Sequence, residues 1–448
     1  MSKTFRAWNI EQLQLLPVSI QDFVADDHLA RFVVNLVRDE LDLLAITGRY
    51  ESEKGQPPYH PVMMTALFLY GYCSGIYSSR RIAKACRERT DFMMIVALDA
   101  PDFRTISEFR RRHLAALEGL FVQVLHLCER AGLVKLGHVA LDGTKIKANA
   151  SKHKAMSYGH MKKREKELEA EVKRWLAAAD AADAAEDKAL GADKRGDELP
   201  GWVADREKRL AKIREAKAAL EAEAKAEAKA EAEARARQEA EAEKQRRAEG
   251  RKKPGKKAKP ASGEPAAKAQ RNFTDPESRI MKSKDGFVQA YNAQAAVDGK
   301  AQVIVAHGLS NGQSDQEHLT ACLDDIEKNL GRRPKQASAD AGYCSEANLA
   351  ALKERDIEGY IATGRAKHPA DSNRAKAGPL TQAMQSKLKR AGWRSRYRLR
   401  KQIVEPVFGQ IKQARGYRQF LLRGIDKVTA EWAMICTAHN LLKLAKAA

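Results

Sequence analysis

The spacing of apolar positions changes character three times along the 448-residue chain. Residues 1–130 follow helical spacing. The stretch "HPVMMTALFLYGYCSGIYSSRRIAKACRER" (60–89) opens with a proline suited to a first helical turn, continues as an apolar block, and passes through a Gly/Ser turn into a basic helix. "TISEFRRRHL" reads as a helix start with a capping box, Thr105 with Glu108, that presents Arg110, Arg111 and Arg112. Two short basic helices on an apolar support fit a helix-turn-helix-like DNA-binding module. They fit an ordinary bundle with solvated arginines equally well, and spacing does not separate the two.

At 134–148, "VKLGHVALDGTKIKA", the period becomes that of a strand, with Val134, Leu136, His138 and Ala140 alternating up to a turn at Asp142-Gly143. Residues 161–250 are then Ala, Glu, Lys and Arg with few large apolar side chains. That composition predicts a long solvated helix or a weak helical hairpin broken near "GDELPGW" (196–202). "GRKKPGKKAKPASGEP" (250–265) reads as a flexible basic linker. Alternation returns at 286–298 and 301–309, a hairpin through Asp298-Gly299. A helix (315–330), a strand (333–343), a helix (345–355) and a strand (358–364) follow, then a break at 368–380 and a basic helical segment. The order β–insert–β–β–α–β–α–β–α predicts an α/β fold, a mixed sheet interrupted once by a long helical insert and preceded by an all-α N-terminal domain. The boundaries are 1–132 for the helical, DNA-binding domain, 133–150 with 271–425 for the α/β domain, 151–270 for the insert, and 426–448 for a C-terminal helix.

Charge narrows the choice of partner. Lys and Arg number 80 against 59 acids, a net +21, which points to a polyanion. No apolar run reaches ~18 residues and the N-terminus is no signal peptide, so a membrane is not expected and the location is cytoplasmic. The six cysteines are scattered without a CxxC pair, as reduced thiols are, and form neither a disulfide framework nor a zinc site.

Three acids stand where such a fold could use them: Asp142 at the end of the first strand, Asp340 after a later strand, and Glu405 alone in the basic run "RSRYRLRKQIVEPVFGQIKQARGY" (394–417). Hard cations take oxygen ligands, and phosphoryl transfer by two metals needs carboxylates beside them. Each acid also has an ordinary role: a turn at Asp142-Gly143, a helix cap at Asp340, a salt bridge at Glu405. Pro406 disfavours helix at Glu405 itself and predicts a kink or a first turn there. His153 and His160 read as a solvated face, His318 as a helix-surface or core residue and Asp275 as a turn acid. Trp393 and Phe408 read as packing residues.

"LDGTK", "DAGY" and "VEPVFGQIK", in this order, resemble the three catalytic blocks of DDE transposases from bacterial insertion sequences. "RNFTDPESRIMKSKDGFVQAYNAQAAVD" resembles the return from their insert, and 59–113 resembles their helical N-terminal domain. The resemblance implies a ribonuclease-H-like core in which Asp142, Asp340 and Glu405 are catalytic and hold two ions, Mg²⁺ or Mn²⁺. It further implies a Tyr/Arg/Lys signature, here Tyr397, Arg400 and Lys412, to contact DNA. The arginine lies five residues before the glutamate where four is expected, the position of Lys401. The implied activity is cleavage of double-stranded DNA at terminal inverted repeats and transfer of the 3′-hydroxyl into target DNA, by a homodimer in the nucleoid. Repeat recognition falls to the N-terminal helices through Arg80, Arg81, Arg110 and Arg111. The competing interpretations are a non-catalytic DNA-binding protein derived from a transposase and a structural protein built on the Ala/Glu/Lys helix.

Overall fold

The structure, a computed structural model, describes residues 19–50, 57–190, 201–249, 263–283, 286–364 and 378–448. The expected basic linker lies outside these residues apart from 263–265, and the expected break at 368–380 apart from 378–380. Two compact units emerge: the described parts of Met1–Ile146 with Asn292–Ala448, and those of Lys147–Tyr291.

The first unit opens with helices α1 (Leu29–Asp39), α2 (Leu44–Thr47), α3 (Pro61–Cys73), α4 (Ser79–Glu88), α5 (Thr90–Ile95), α6 (Phe103–Arg112) and α7 (Leu114–Arg130). Pro61 does begin α3, with the His60 ring accepting from the Val62 amide, and the helix is buried from Met64 to Cys73. The start of α6 differs from expectation. Asp102, in extended backbone, accepts from the Thr105 amide, so Thr105 is itself the third helical residue, and Glu108 pairs with Arg111 instead of closing a capping box. The helix therefore starts three residues earlier than expected, and the cap is the Asp102 carboxylate and not the Thr105 hydroxyl.

Strand β1 (Val139–Lys147) does not end at Asp142-Gly143 as the sequence predicted; it runs five residues further. It leaves the first unit at Ile146 and the chain builds the second unit. There β2 (Ala155–Ser157) leads into α8 (Tyr158–Leu190) and α9 (Gly201–Glu249), and β3 (Gln270–Asn272) pairs antiparallel with β2. Strand β4 (Arg279–Ser283) pairs with the opening residues of β5 (Gly286–Asp298). The helices form a hairpin on a narrow apolar seam of Tyr158, Met161, Leu168, Leu210, Ile213, Ala216 and Leu220. Ion pairs flank it, including Lys217–Glu165 at 2.6 Å and Arg214–Glu169 at 2.5 Å. Asp275 forms the expected turn, but buried, accepting from the Tyr291 hydroxyl at 2.8 Å.

Back in the first unit, β5 turns through Asp298-Gly299 into β6 (Ile304–Ser310), antiparallel as expected. Then come α10 (His318–Leu330), β7 (Gln336–Ala339), α11 (Glu346–Glu354), β8 (Glu358–Ile361), α12 (Pro379–Ala391), α13 (Arg400–Gly409) and α14 (Ile425–Ala445). The strand order is β6-β5-β1-β7-β8, with β1, β7 and β8 parallel. This is the mixed, ribonuclease-H-like sheet. Residues 290–298 are buried without a break because both faces of β5 are covered. Helix α14 packs on α3, α7 and β6. It is fixed by the Asn440 carboxamide, which bonds both the amide and the carbonyl of Ile304 at 2.8 Å, and by the Trp432 indole on the Gln294 carbonyl.

Candidate active site

Asp142 lies in mid-strand on β1, and Glu405 is the sixth residue of α13. Far apart in sequence, they meet on one guanidinium. Arg400 donates to Asp142 Oδ2 at 2.7 Å and to Glu405 Oε1 at 3.1 Å. Glu405 is not in a first turn, one of the two placements expected for it: α13 runs past Pro406 to Gly409, with Glu405 in its second turn. Proline removes the donor that the Gln402 carbonyl would need, and the Gln302 side chain supplies one instead, at 2.8 Å. The five-residue spacing between Arg400 and Glu405 works because Arg400 stands at the first turn, where its side chain can reach both β1 and its own helix.

Asp340 follows β7 and caps a 3-10 turn, Ala341–Tyr343, accepting from the Gly342 amide at 2.8 Å. The cap is thus on its own turn, and α11 is capped separately by Ser345. Burial pushes the Asp142 carboxyl up to about 6; the charges of Asp340 and Glu405 add to the rise and Arg400 opposes it. Burial works against the charge on Arg400, but Asp142, Tyr397, Glu405 and Asp340 outweigh it and hold the guanidinium more basic than usual. All three acids therefore share one electrostatic neighbourhood.

Several residues at this site escaped the sequence. Asp315, just before α10, accepts from Asn292 Nδ2 at 2.7 Å and Gln294 Nε2 at 2.8 Å, with Lys145 Nζ 3.5 Å away. The Tyr343 hydroxyl donates to Gln294 Oε1. The available signal was two amides, Asn292 and Gln294, two apart and so on one face of a strand, with only apolar residues, Ala293, Ala295 and Ala296, around them on its C-terminal side.

The residues expected to meet DNA are divided. Lys412 follows α13 in a π-helical turn and donates to Thr144 Oγ1 and to the Lys145 carbonyl, tying the helix to β1. Tyr397 is half-buried with Arg400 over its ring at 6.0 Å, and Lys401 is exposed. Arg80, Arg81 and Arg111 are exposed, Arg80 lying over the Phe103 ring. Arg110 is not presented as the sequence suggested; it is buried, its charge felt by Tyr72 and Glu431, because the helical period turns it inward with Ile106 and Phe109 while Arg111 and Arg112 face out. Trp393, expected to pack, is 73% exposed, while Phe408 is buried as expected. His153 and His160 are exposed, and His318 bonds Ser310 Oγ at 2.9 Å.

The donor chemistry of Asp142, Asp340 and Glu405 fits a hard divalent cation, being all carboxylate oxygen with an unfavourable accumulation of negative charge. In the observed geometry a guanidinium holds that charge, and among the described residues no group of three or more His, Cys, Asp or Glu converges to hold a metal. No described helix is long and apolar enough to cross a membrane.

Comparison with known families agrees at both ends of the chain. Residues 18–112 match a transposase domain (DUF772), and residues 363–445, which include Arg400 and Glu405, match a transposase DDE domain. Neither a curated protein nor a solved structure matches. Two transposase domains at opposite ends of one chain, with a mixed α/β core between them, identify it as a DDE transposase of the insertion-element type.

Proposed function

We propose that this transposase cleaves double-stranded DNA at the inverted-repeat ends of its element and joins the freed 3′-hydroxyl to target DNA, with Asp142, Asp340 and Glu405 as the catalytic acids. The observation that carries the proposal is the meeting of Asp142 and Glu405 on Arg400, with Asp340 in the same field. Three acids from β1, the end of β7 and α13 have no structural need for one another. Burial and the two neighbouring acids oppose the charge on Asp142 while Arg400 supports it, a cost of the kind kept at functional sites.

The same three acids are the ones to hold two divalent ions, Mg²⁺ or Mn²⁺, which when bound supply Lewis-acid polarisation at the scissile phosphate. The protein's own residues do the rest. Lys412 fixes the end of β1 against the segment after α13 and so sets Asp142 relative to Glu405. Arg400 neutralises the acids and, when they take up cations, becomes free to bind a phosphate oxygen beside Tyr397. Exposed Lys401, Arg80, Arg81 and Arg111 hold the DNA backbone, with salt-sensitive and sequence-tolerant affinity. Pairing of two ends calls for a homodimer on the DNA. The domain roles follow: a DNA-binding helical region over 1–132, a catalytic region of 133–150 with 271–425 closed by the helix at 426–448, and the insert at 151–270.

The test is end-labelled inverted-repeat DNA incubated with protein and Mg²⁺. A 3′-hydroxyl at the element boundary and strand-transfer products are expected, both lost in Asp340→Asn and Glu405→Gln. DNA binding without cleavage under any divalent ion would instead favour a non-catalytic DNA-binding protein.

A further inference from the structure

We infer that Asp315 is a positioning residue that sets the spacing between the two catalytic aspartates, an inference that rests on the proposed function of the site. Asp142 and Asp340 are each followed closely by a glycine, Gly143 directly and Gly342 two residues on. The Asp315 carboxylate lies against both. A β-carbon on Gly143 would come within 2.5 Å of Gln294 Nε2 and 2.9 Å of Asp315 Oδ1, and one on Gly342 within 3.0 Å of Asp340 Oδ1 and 3.2 Å of Asp315 Oδ2. Neither glycine has positive φ, so backbone conformation does not require them. Gly143 leaves room for the carboxylate and for the Gln294 amide that holds it, and Gly342 lets the carboxylate pack closely beside Asp340.

The carboxylate is itself held. Its Oδ1 accepts from Asn292 and Gln294 on β5 and faces Lys145 at 3.5 Å, while Oδ2 makes no hydrogen bond among the described residues and faces Gly342. An ionised carboxylate only accepts, which fixes both amides with nitrogen towards Asp315. For Gln294 that leaves Oε1 to take the Tyr343 hydroxyl, three residues after Asp340. For Asn292 it leaves Oδ1 fully buried, without a hydrogen bond, 3.1 Å from where a Gly143 β-carbon would stand. A relay of side chains thus runs from the Asp340 turn through Tyr343, Gln294 and Asp315 to Gly143, beside Asp142 on β1. A buried carboxamide oxygen left bare gives nothing to folding and costs desolvation. Its orientation is the consequence of both amides facing Asp315.

The relay acts on where Asp142 and Asp340 sit, so its effect falls on cation affinity. The experiment is Mn²⁺ binding to the full-length protein, followed by calorimetry and by the Mn²⁺ resonance signal, with DNA binding and thermal melting measured alongside. Asp315→Ala is expected to weaken Mn²⁺ at least tenfold while leaving DNA affinity within about twofold. Asp315→Asn keeps an accepting oxygen and is expected to lie between Asp315→Ala and wild type. Gly342→Ala, which keeps every acid, is expected to weaken Mn²⁺ as Asp315→Ala does, and Tyr343→Phe to weaken it by a few fold. A direct ligand role for Asp315 predicts that Tyr343→Phe binds as wild type does, and this result would overturn positioning. So would wild-type Mn²⁺ binding in a folded Asp315→Ala or Gly342→Ala. If wild type binds no Mn²⁺, or Asp142→Asn binds it equally well, the proposed metal site fails and the positioning role falls with it, a result distinct from the failure of the relay alone.

Discussion

Two clusters of carboxylates and bases in this molecule respond to their surroundings in opposite directions. On the helical hairpin Glu165 meets Lys217 and Arg214, and the hydrogen bond from Lys217, with the two charges behind it, holds its carboxyl below the usual value against a modest burial. At the sheet Asp142 meets Arg400 at equally good distance, yet its carboxyl is pushed up to about 6. The bases are comparable; burial and the company of other acids are not. One cluster is a part-buried set of opposite charges that serves the fold, and the other gathers several acids around one guanidinium, negative charge that the fold would be better without. That difference is what the proposed cation site rests on.

The largest effect expected is from Asp142→Asn. It should lower DNA cleavage by about a thousandfold or more, as loss of several kcal/mol of charge stabilisation requires. The same change should stabilise the cation-free protein by roughly 1–3 kcal/mol at pH 7–8, read from denaturant unfolding, because it removes an ionised group whose folded-state pKa lies near 6 against an ordinary 3.8. A neutral variant that is less stable at pH 7–8 would erase the contrast between the clusters.

Next in size is the hairpin seam. Ile213→Ala, at a fully buried position between α8 and α9, should cost about 2–4 kcal/mol of hairpin stability and speed amide exchange in both helices. The two clusters also separate in pH. A carboxyl raised in the fold stabilises fully below its ordinary value and loses that contribution as pH rises through about 6, so the stability gap between Asp142→Asn and wild type should open between pH 4 and pH 6. A carboxyl lowered in the fold stabilises above its ordinary value and loses that contribution as pH falls. The gap between wild type and Glu165→Gln should therefore close below about pH 4.5. The smallest effect is ionic strength: the Glu165–Lys217 pair, worth about 0.5–1 kcal/mol, should lose most of that in 1 M salt.

Much of the fold was legible because its signals are local. The Asp298-Gly299 hairpin, the β7–α11–β8 alternation and the proline start of α3 each follow from a few adjacent residues. What the sequence misplaced depended on distant partners. Asp142-Gly143 has the composition of a turn, but the neighbouring strands and the Asp315 side chain make it the middle of β1. Pro406 has the character of a helix breaker, but Gln302 supplies the donor its helix lacks. In α9 the seam residues Leu210, Ile213 and Leu220 do recur at helical spacing, and the Ala/Glu/Lys composition around them concealed it. Of the site, three acids could be named from blocks resembling a known family. The contact of Asp142 and Glu405 on Arg400, and the Asp315 relay, require atoms that only the folded sheet brings together.

The central claim is that Asp142 serves a cation. It is tested most directly by replacing its oxygen with sulfur and changing the metal. Asp142→Cys should leave cleavage of inverted-repeat DNA undetectable in Mg²⁺ and recover it in Mn²⁺, because a thiolate is a poor partner for the harder ion. Cleavage by Asp142→Cys in Mg²⁺ at the wild-type rate would contradict the account.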